Sequence, residues 1–285
     1  MKVLLSITFL LHCFLCLSQN SISGLTFNKR HVDAVDKWVA FPDKDIDSVF
    51  YCGFIYIDQQ AGFTYQMGSK FAINKSGEFL LEAEDSTVNI KVRLEPEWKN
   101  IAIIPDERLA EMGLPKVPDW LKFYKEDEGK VSYLKDIGWH YNHMGACEHA
   151  LIPLLTAYEK EPHYKGLEFE IGFAYNALQA FAEAKEVLEK AYKHDPKDPF
   201  ILRELGYTYK GLGEIDKAEK IYTDGMKKSK NDFEKSEMAL NMAQVYFQLK
   251  NRKKFDKWAK LTRKYAEEGS TYAQYIDYYE AQWEK

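Results

Sequence analysis

The sequence predicts an α+β chain of two parts: a small antiparallel β-sheet or sandwich domain, then an all-α solenoid of repeated helix pairs. Two observations lead there. Before residue 105, short β-branched and aromatic runs alternate with turn signals. After residue 131, small residues, tyrosines and prolines recur every 34 residues within helical patterns. A chain of 285 residues is long enough to build a core in each part.

The first residues form a separate object. Lys2 is followed by an apolar run over residues 3–17, broken only by Ser6, Thr8 and His12, and it stops at Ser18. That layout predicts a secretory signal over residues 1–19, and hence an exported protein, periplasmic or secreted. An uncleaved single-span anchor is the alternative. Lipidation at Cys13 or Cys16 is disfavoured by the bulk of His12 and Leu15 just before them. With the signal removed, no later segment is expected to enter a membrane, and the remaining cysteines, Cys52 and Cys147, are expected as buried free thiols.

Residues 20–105 read as the β-rich domain. Residues 48–57 are rich in β-branched and aromatic side chains, residues 58–62 form a turn, and 63–67 resume the strand. Residues 70–73 and 79–81 flank a turn signal at 74–77. Residues 87–94 alternate with period two, and 101–104 form a last short strand. Several acidic residues (Asp33, Asp36, Asp43, Asp45 and Asp47) precede these strands and read as a solvated loop. Residues 106–130 read as a connector with a helical turn at 106–112, stops at Pro115 and Pro118, and a short lead-in helix at 120–125.

The repeat occupies residues 131–285. Gly138, Gly172 and Gly206 are spaced by 34, as are Tyr141, Tyr175 and Tyr209. Ala150, Ala184 and Ala218 keep the period; Ala157 and Ala191 do too, and Pro162 and Pro196 close two units. Leu134, Ile137, Gly138 and Tyr141 share one helix face, and Ala150, Leu154 and Ala157 make the matching stripe on the next helix. Small residues at the glycine and alanine positions let two antiparallel helices approach, and proline ends the second. The units run 131–164, 165–198 and 199–232. A degenerate fourth (236–269) has Phe255 in place of the small alanine, which predicts looser packing or a changed angle there. A terminal helix over 271–284 follows, with Ser270 as its N-cap.

This pattern of Gly, Tyr, Ala, Ala and Pro resembles the tetratricopeptide repeat (TPR) family, with Leu134, Glu168 and Leu202 at the usual tryptophan position. With the leader and sheet domain, the chain resembles exported bacterial TPR proteins. The resemblance implies a protein-interaction scaffold whose concave groove is lined by the first helix of each pair. The implied groove positions are Ser132, Lys135, Trp139, Asn142 and His143; Gly166, Phe169, Phe173, Asn176 and Ala177; and Phe200, Arg203, Tyr207, Lys210 and Gly211. These give an aromatic, mildly basic groove with paired asparagines, whose amides suit the backbone of an extended protein or peptide segment. A carboxylate clamp is not expected, because Trp139 and Phe173 replace the asparagines it needs.

Other chemistry finds little support in the residues. The net charge of -5 argues against nucleic acid and anionic membrane surfaces as partners. No phosphate loop, nucleophile elbow or zincin motif is present, so neither catalysis nor a cofactor is expected. His140, His143, Cys147 and His149 crowd together, but their helical spacing does not converge on a metal. Glu82 and Glu84 share a strand face as solvated carboxylates, and residues 74–76 form a glycosylation sequon. The alternative function is ligand binding by the β domain, with Tyr51, Tyr56, Phe63 and Tyr65 as an aromatic platform for carbohydrate or peptide and the helical array as adaptor.

Overall fold

The computed structural model describes residues 21–22, 24–43, 45–46, 48–82 and 90–283. The predicted leader, Asp47, Glu84, the first part of the strand predicted at 87–94 and the last residue of the terminal helix lie outside these. The chain divides into two compact units: Met1–Tyr56 with Thr64–Pro118, and Ile57–Phe63 with Asp119–Lys285. The predicted connector is therefore split at Pro118, and the hairpin tip Ile57–Phe63 groups with the helices.

Among the described residues, the first unit holds a seven-stranded antiparallel sheet. Its strands are β3 (Lys29–Arg30), β4 (Lys37–Pro42), β5 (Val49–Asp58), β6 (Gly62–Ile73), β7 (Phe79–Leu81), β8 (Lys91–Arg93) and β9 (Lys99–Ile103). They lie in the order β3-β9-β4-β5-β6-β7, with β8 on β6. A separate ribbon pairs β1 (Ser21–Ile22) with β2 (Leu25–Thr26). Phe27, Phe50, Phe71 and Phe79 stack in succession at 5.6, 5.3 and 5.0 Å between ring centroids. Burying each such ring contributes up to about 3 kcal/mol.

Strand β4 was not predicted. It lies in the middle of the sheet, with Trp38, Val39 and Ala40 all buried, so it shows no polar-apolar alternation to read. Trp38 Nε1 donates to Pro115 O at 2.8 Å, and its ring covers Gly68. Strand β6 runs unbroken through residues 68 and 69, where the pattern suggested two separate strands. Helix α1 (Asp106–Glu111) and a 3-10 turn at Asp119–Tyr124 match the connector elements predicted.

The second unit is built of helix pairs: α2 (Val131–His143) with α3 (Cys147–Lys160), α4 (Leu167–Ala177) with α5 (Phe181–His194), α6 (Pro199–Gly211) with α7 (Ile215–Lys228), and α8 (Asp232–Gln248) with α9 (Arg252–Tyr265). Helix α10 (Thr271–Trp283) follows. Each pair turns on one left-handed residue, Gly145, Gln179, Gly213 or Lys250. The glycine positions serve close approach, as the spacing implied. A Cβ at Gly138, Gly172 or Gly206 would stand 2.3, 2.5 or 2.5 Å from Leu154, Leu188 or Tyr222, the residue it receives from the second helix.

Two expectations need correction here. Phe255 does not loosen the fourth pair: it is fully buried and stacks on Trp283 at 5.1 Å. Ala259 stands where the other pairs have Leu154, Leu188 and Tyr222, so bulk lost one turn away compensates for the bulk gained. Ser270 does not cap α10 through its side chain; its Oγ is buried without a hydrogen-bond partner among the described residues. Cys52 and Cys147 are both buried free thiols.

Candidate binding groove

The first helices α2, α4, α6 and α8 bring equivalent side chains to one face. At the ninth position of successive repeats stand Trp139, Phe173 and Tyr207, 43%, 36% and 37% exposed. Solvent-facing aromatics at helical-repeat spacing form a ladder, since each first helix presents this position at the same rotation. Phe200 is exposed beside them, and Phe233 stacks on Tyr272 of α10 at 5.1 Å. His143 is exposed and stacks on Trp139 at 5.5 Å.

The paired asparagines are largely buried, although Asn176 contributes to the lining of two groove cavities. Asn142 and Asn176 are only 6% and 3% exposed. Asn142 Nδ2 donates to Glu170 O at 3.0 Å and Glu170 Oε2 at 2.9 Å. Asn176 Nδ2 makes the same two bonds to Glu204, at 3.1 and 3.0 Å, and its Oδ1 accepts from Thr208 Oγ1 at 2.8 Å. Each asparagine therefore staples its repeat to the next. A bridging amide that satisfies a buried carbonyl and a carboxylate at once leaves no donor for a ligand. Lys210 continues the series by donating to Asn241 Oδ1 at 2.6 Å and Gln244 Oε1 at 2.7 Å.

The basic heads are mostly engaged as well. Arg203 pairs with Glu204 at 3.1 Å and Glu237 at 3.9 Å, and lies over the Phe169 ring at 5.3 Å. Lys135 stands 3.4 Å from Asp136. Burial pushes the Glu170 and Glu237 carboxyls above their usual range, with neighbouring cations pulling the other way. Lys135 and Arg203 thus each stand beside carboxylates of the chain itself. Lys210 differs: the side chains it donates to are neutral amides, and burial pulls its ammonium down to about 8. It lines an open cavity of about 850 Å3 with Phe181, Tyr207, Gln244 and Gln248. A second, of about 390 Å3, lies between Phe173, Arg203, Tyr207, Phe233 and Tyr272.

Glu170, Glu204 and Glu237 escaped the sequence reading, although the 34-residue spacing of the first two was a legible signal. The histidines near the first turn go separate ways. His140 Nε2 lies 3.0 Å from Gln59 O, and His149 stacks on Tyr141 at 5.4 Å. At the departure from the usual tryptophan position, Glu168 is buried and holds His163 through its backbone N at 3.0 Å and Nδ1 at 2.6 Å.

A family model described as a tetratricopeptide repeat matches residues 175–235. The two preceding glycines, Gly138 and Gly172, receive leucines from their second helices, whereas Gly206 within the matched segment receives Tyr222. Among solved structures, a crystal structure of MamA is 20% identical, covering 51% of this chain and 84% of that one, with a TM-score of 0.45. TTC0263, a thermophilic TPR protein of Thermus thermophilus, is 19% identical, covering 55% of this chain and 84% of its own, with a TM-score of 0.48. No curated protein matches the sequence. No helix among the described residues is long and apolar enough to cross a membrane.

Proposed function

We propose that the repeat array is a protein-interaction scaffold that holds an extended partner segment along its aromatic ladder. The carrying observation is the exposure of Trp139, Phe173 and Tyr207 at one rotation of three successive repeats. Exposed aromatics so aligned supply apolar contact area at low side-chain entropy cost, which is how a few residues come to dominate an interface. The polar layer beneath them is committed to joining the repeats, so affinity in this reading comes from the rings and from Lys210. The leader-like pattern of residues 1–19 supports a site of action outside the cytoplasm. No feature of the groove supports catalysis.

Site-specific photocrosslinking in the native cell tests the reading. A photoreactive phenylalanine analogue is placed at Phe173 or Tyr207, and at Ile152 on α3 as a control, which is 70% exposed. The expected result is capture of one partner segment from both groove positions and not from Ile152. Equal capture from all three positions, or none from the groove, would overturn it.

A further inference from the structure

The sheet unit carries a second candidate site, independent of the repeat groove. Phe41 and Tyr51 are register partners across β4 and β5, so their side chains leave the same face of the sheet. Gly53, two residues further along β5, faces the same way. It is the floor on which Tyr65 lies: a Cβ there would stand 2.3 Å from the Tyr65 ring. Phe41 meets Tyr65 edge-on at 5.1 Å and Trp98 edge-on at 5.4 Å. These four rings wall an open cavity of about 670 Å3. Tyr56 and Phe63, predicted to share a platform with Tyr51 and Tyr65, do not line it.

Three acids line this cavity, Asp43, Asp45 and Glu97, together with Lys99, and Lys70 stands beside Asp43. Asp43 is already used: Lys70 Nζ stands 2.8 Å from its carboxylate and 4.5 Å from the centroid of Tyr51. That pairing holds the Asp43 carboxyl down at about 2, chiefly through the Lys70 hydrogen bond. The chain's own lysine thus shows one edge of the cavity holding an ammonium between a ring and a carboxylate. The exposed Trp98 ring and the Glu97 carboxylate also line the cavity, offering a second aromatic face and a second acid. Among the described residues, no hydrogen bond or ion pair reaches the side-chain carboxylate of Glu97 or Asp45.

We propose that this pocket binds an organic cation, and that an arginine side chain presented by a peptide is the group it fits. A guanidinium stacks on an indole face while its edge takes a carboxylate in a bidentate pair, and an ammonium lacks that planar match. The aromatic walls exclude water from the stacked face, which strengthens the attraction. Charge complementarity favours this occupant over a neutral sugar.

The test uses the full chain and three probes: an acetyl-Gly-Arg-Gly-amide peptide, its citrulline counterpart and cellobiose. Binding is followed by NMR at the Trp98 indole N–H, assigned with Trp98→Leu. The arginine peptide is expected to bind at least ~5-fold more tightly than the neutral citrulline peptide. Glu97→Gln, an exposed change with little consequence for folding, is expected to weaken the arginine peptide at least ~3-fold and leave the citrulline peptide unchanged. Equal affinities for the two peptides, no binding of the arginine peptide, or cellobiose binding indifferent to Glu97→Gln would each overturn the proposal.

Discussion

Asn142 and Asn176 show how one position can be filled alike and satisfied unequally. Both donate to the following repeat, but only Asn176 has a hydroxyl, that of Thr208, on its Oδ1. The residue equivalent to Thr208 one repeat earlier is Ala174, and Asn142 Oδ1 is buried without a partner among the described residues. An unsatisfied buried acceptor costs on the order of 1–3 kcal/mol. Ala174→Ser should therefore raise stability by about 1 kcal/mol, and Thr208→Ala should lower it by about 1–2 kcal/mol. Urea unfolding of the purified variants measures both; a destabilised Ala174→Ser would show that Asn142 is satisfied in some other way. The same geometry redefines an obvious binding test. An Asn142→Ala, Asn176→Ala double variant removes the staples, so its effect on a partner would report lost stability as much as lost contact.

At the scale of elements, Glu219 on α7 ties the third helix pair to the fourth. Its Oε2 accepts from Tyr246 Oη at 2.6 Å and Lys254 Nζ at 2.9 Å, and its Oε1 from Trp258 Nε1 at 3.1 Å and Lys257 Nζ at 3.3 Å. Burial alone would push this carboxyl up, but the four donors together outweigh it and hold it down at about 2. A carboxyl depressed in the folded state stabilises above its unfolded value near 4.5, and that contribution is lost as pH falls from there toward about 2. Glu219→Gln should thus cost about 2 kcal/mol at neutral pH, since charged hydrogen bonds are worth roughly 1.5–3 kcal/mol. The gap between wild type and variant should close as pH falls through that window. Unfolding curves at pH 7, 4 and 3 check this, and a gap independent of pH would remove the carboxylate from the account. The large-for-small exchange at Phe255 belongs to this same junction, where Ala259 and Trp283 absorb the added ring.

For the whole molecule, the sequence was most readable where structure repeats. The glycine, tyrosine and alanine periods marked the first three helix pairs, because each marks a close contact that recurs at a fixed rotation; the fourth, read as starting at 236, begins at Asp232. The aromatic positions were named only through the groove positions that the family resemblance implied. The period could not show that the twelfth position turns inward, because an asparagine is polar whether it meets solvent or a buried glutamate. Only the recurrence of Glu170 and Glu204 hinted at that partner. In the sheet unit the short strands β1, β2 and β3 passed unread, whereas β5, β6, β7 and β9 were legible from β-rich runs and turn residues. Central β4 was not, since a strand buried on both faces loses its alternation. Of the rings that line the sheet cavity, Tyr51 and Tyr65 were among those named from the sequence, whereas Phe41 and Trp98 come beside them only in the folded sheet.

The central claim is that the ladder, rather than the outer surface of the helices, holds a protein segment. It is tested most directly by titrating the segment mapped by crosslinking against full-length wild type, Phe173→Ala with Tyr207→Ala, and Ile152→Ala. Because Phe173 and Tyr207 are partly packed, at 36% and 37% exposure against 70% for Ile152, melting temperatures are measured alongside and affinity is compared at a temperature where all three proteins are folded. The account predicts at least ~10-fold weaker binding for the double groove variant, equivalent to about 1.4 kcal/mol, and unchanged binding for Ile152→Ala. Equal affinity for wild type and the double variant, or a loss confined to Ile152→Ala, would contradict it.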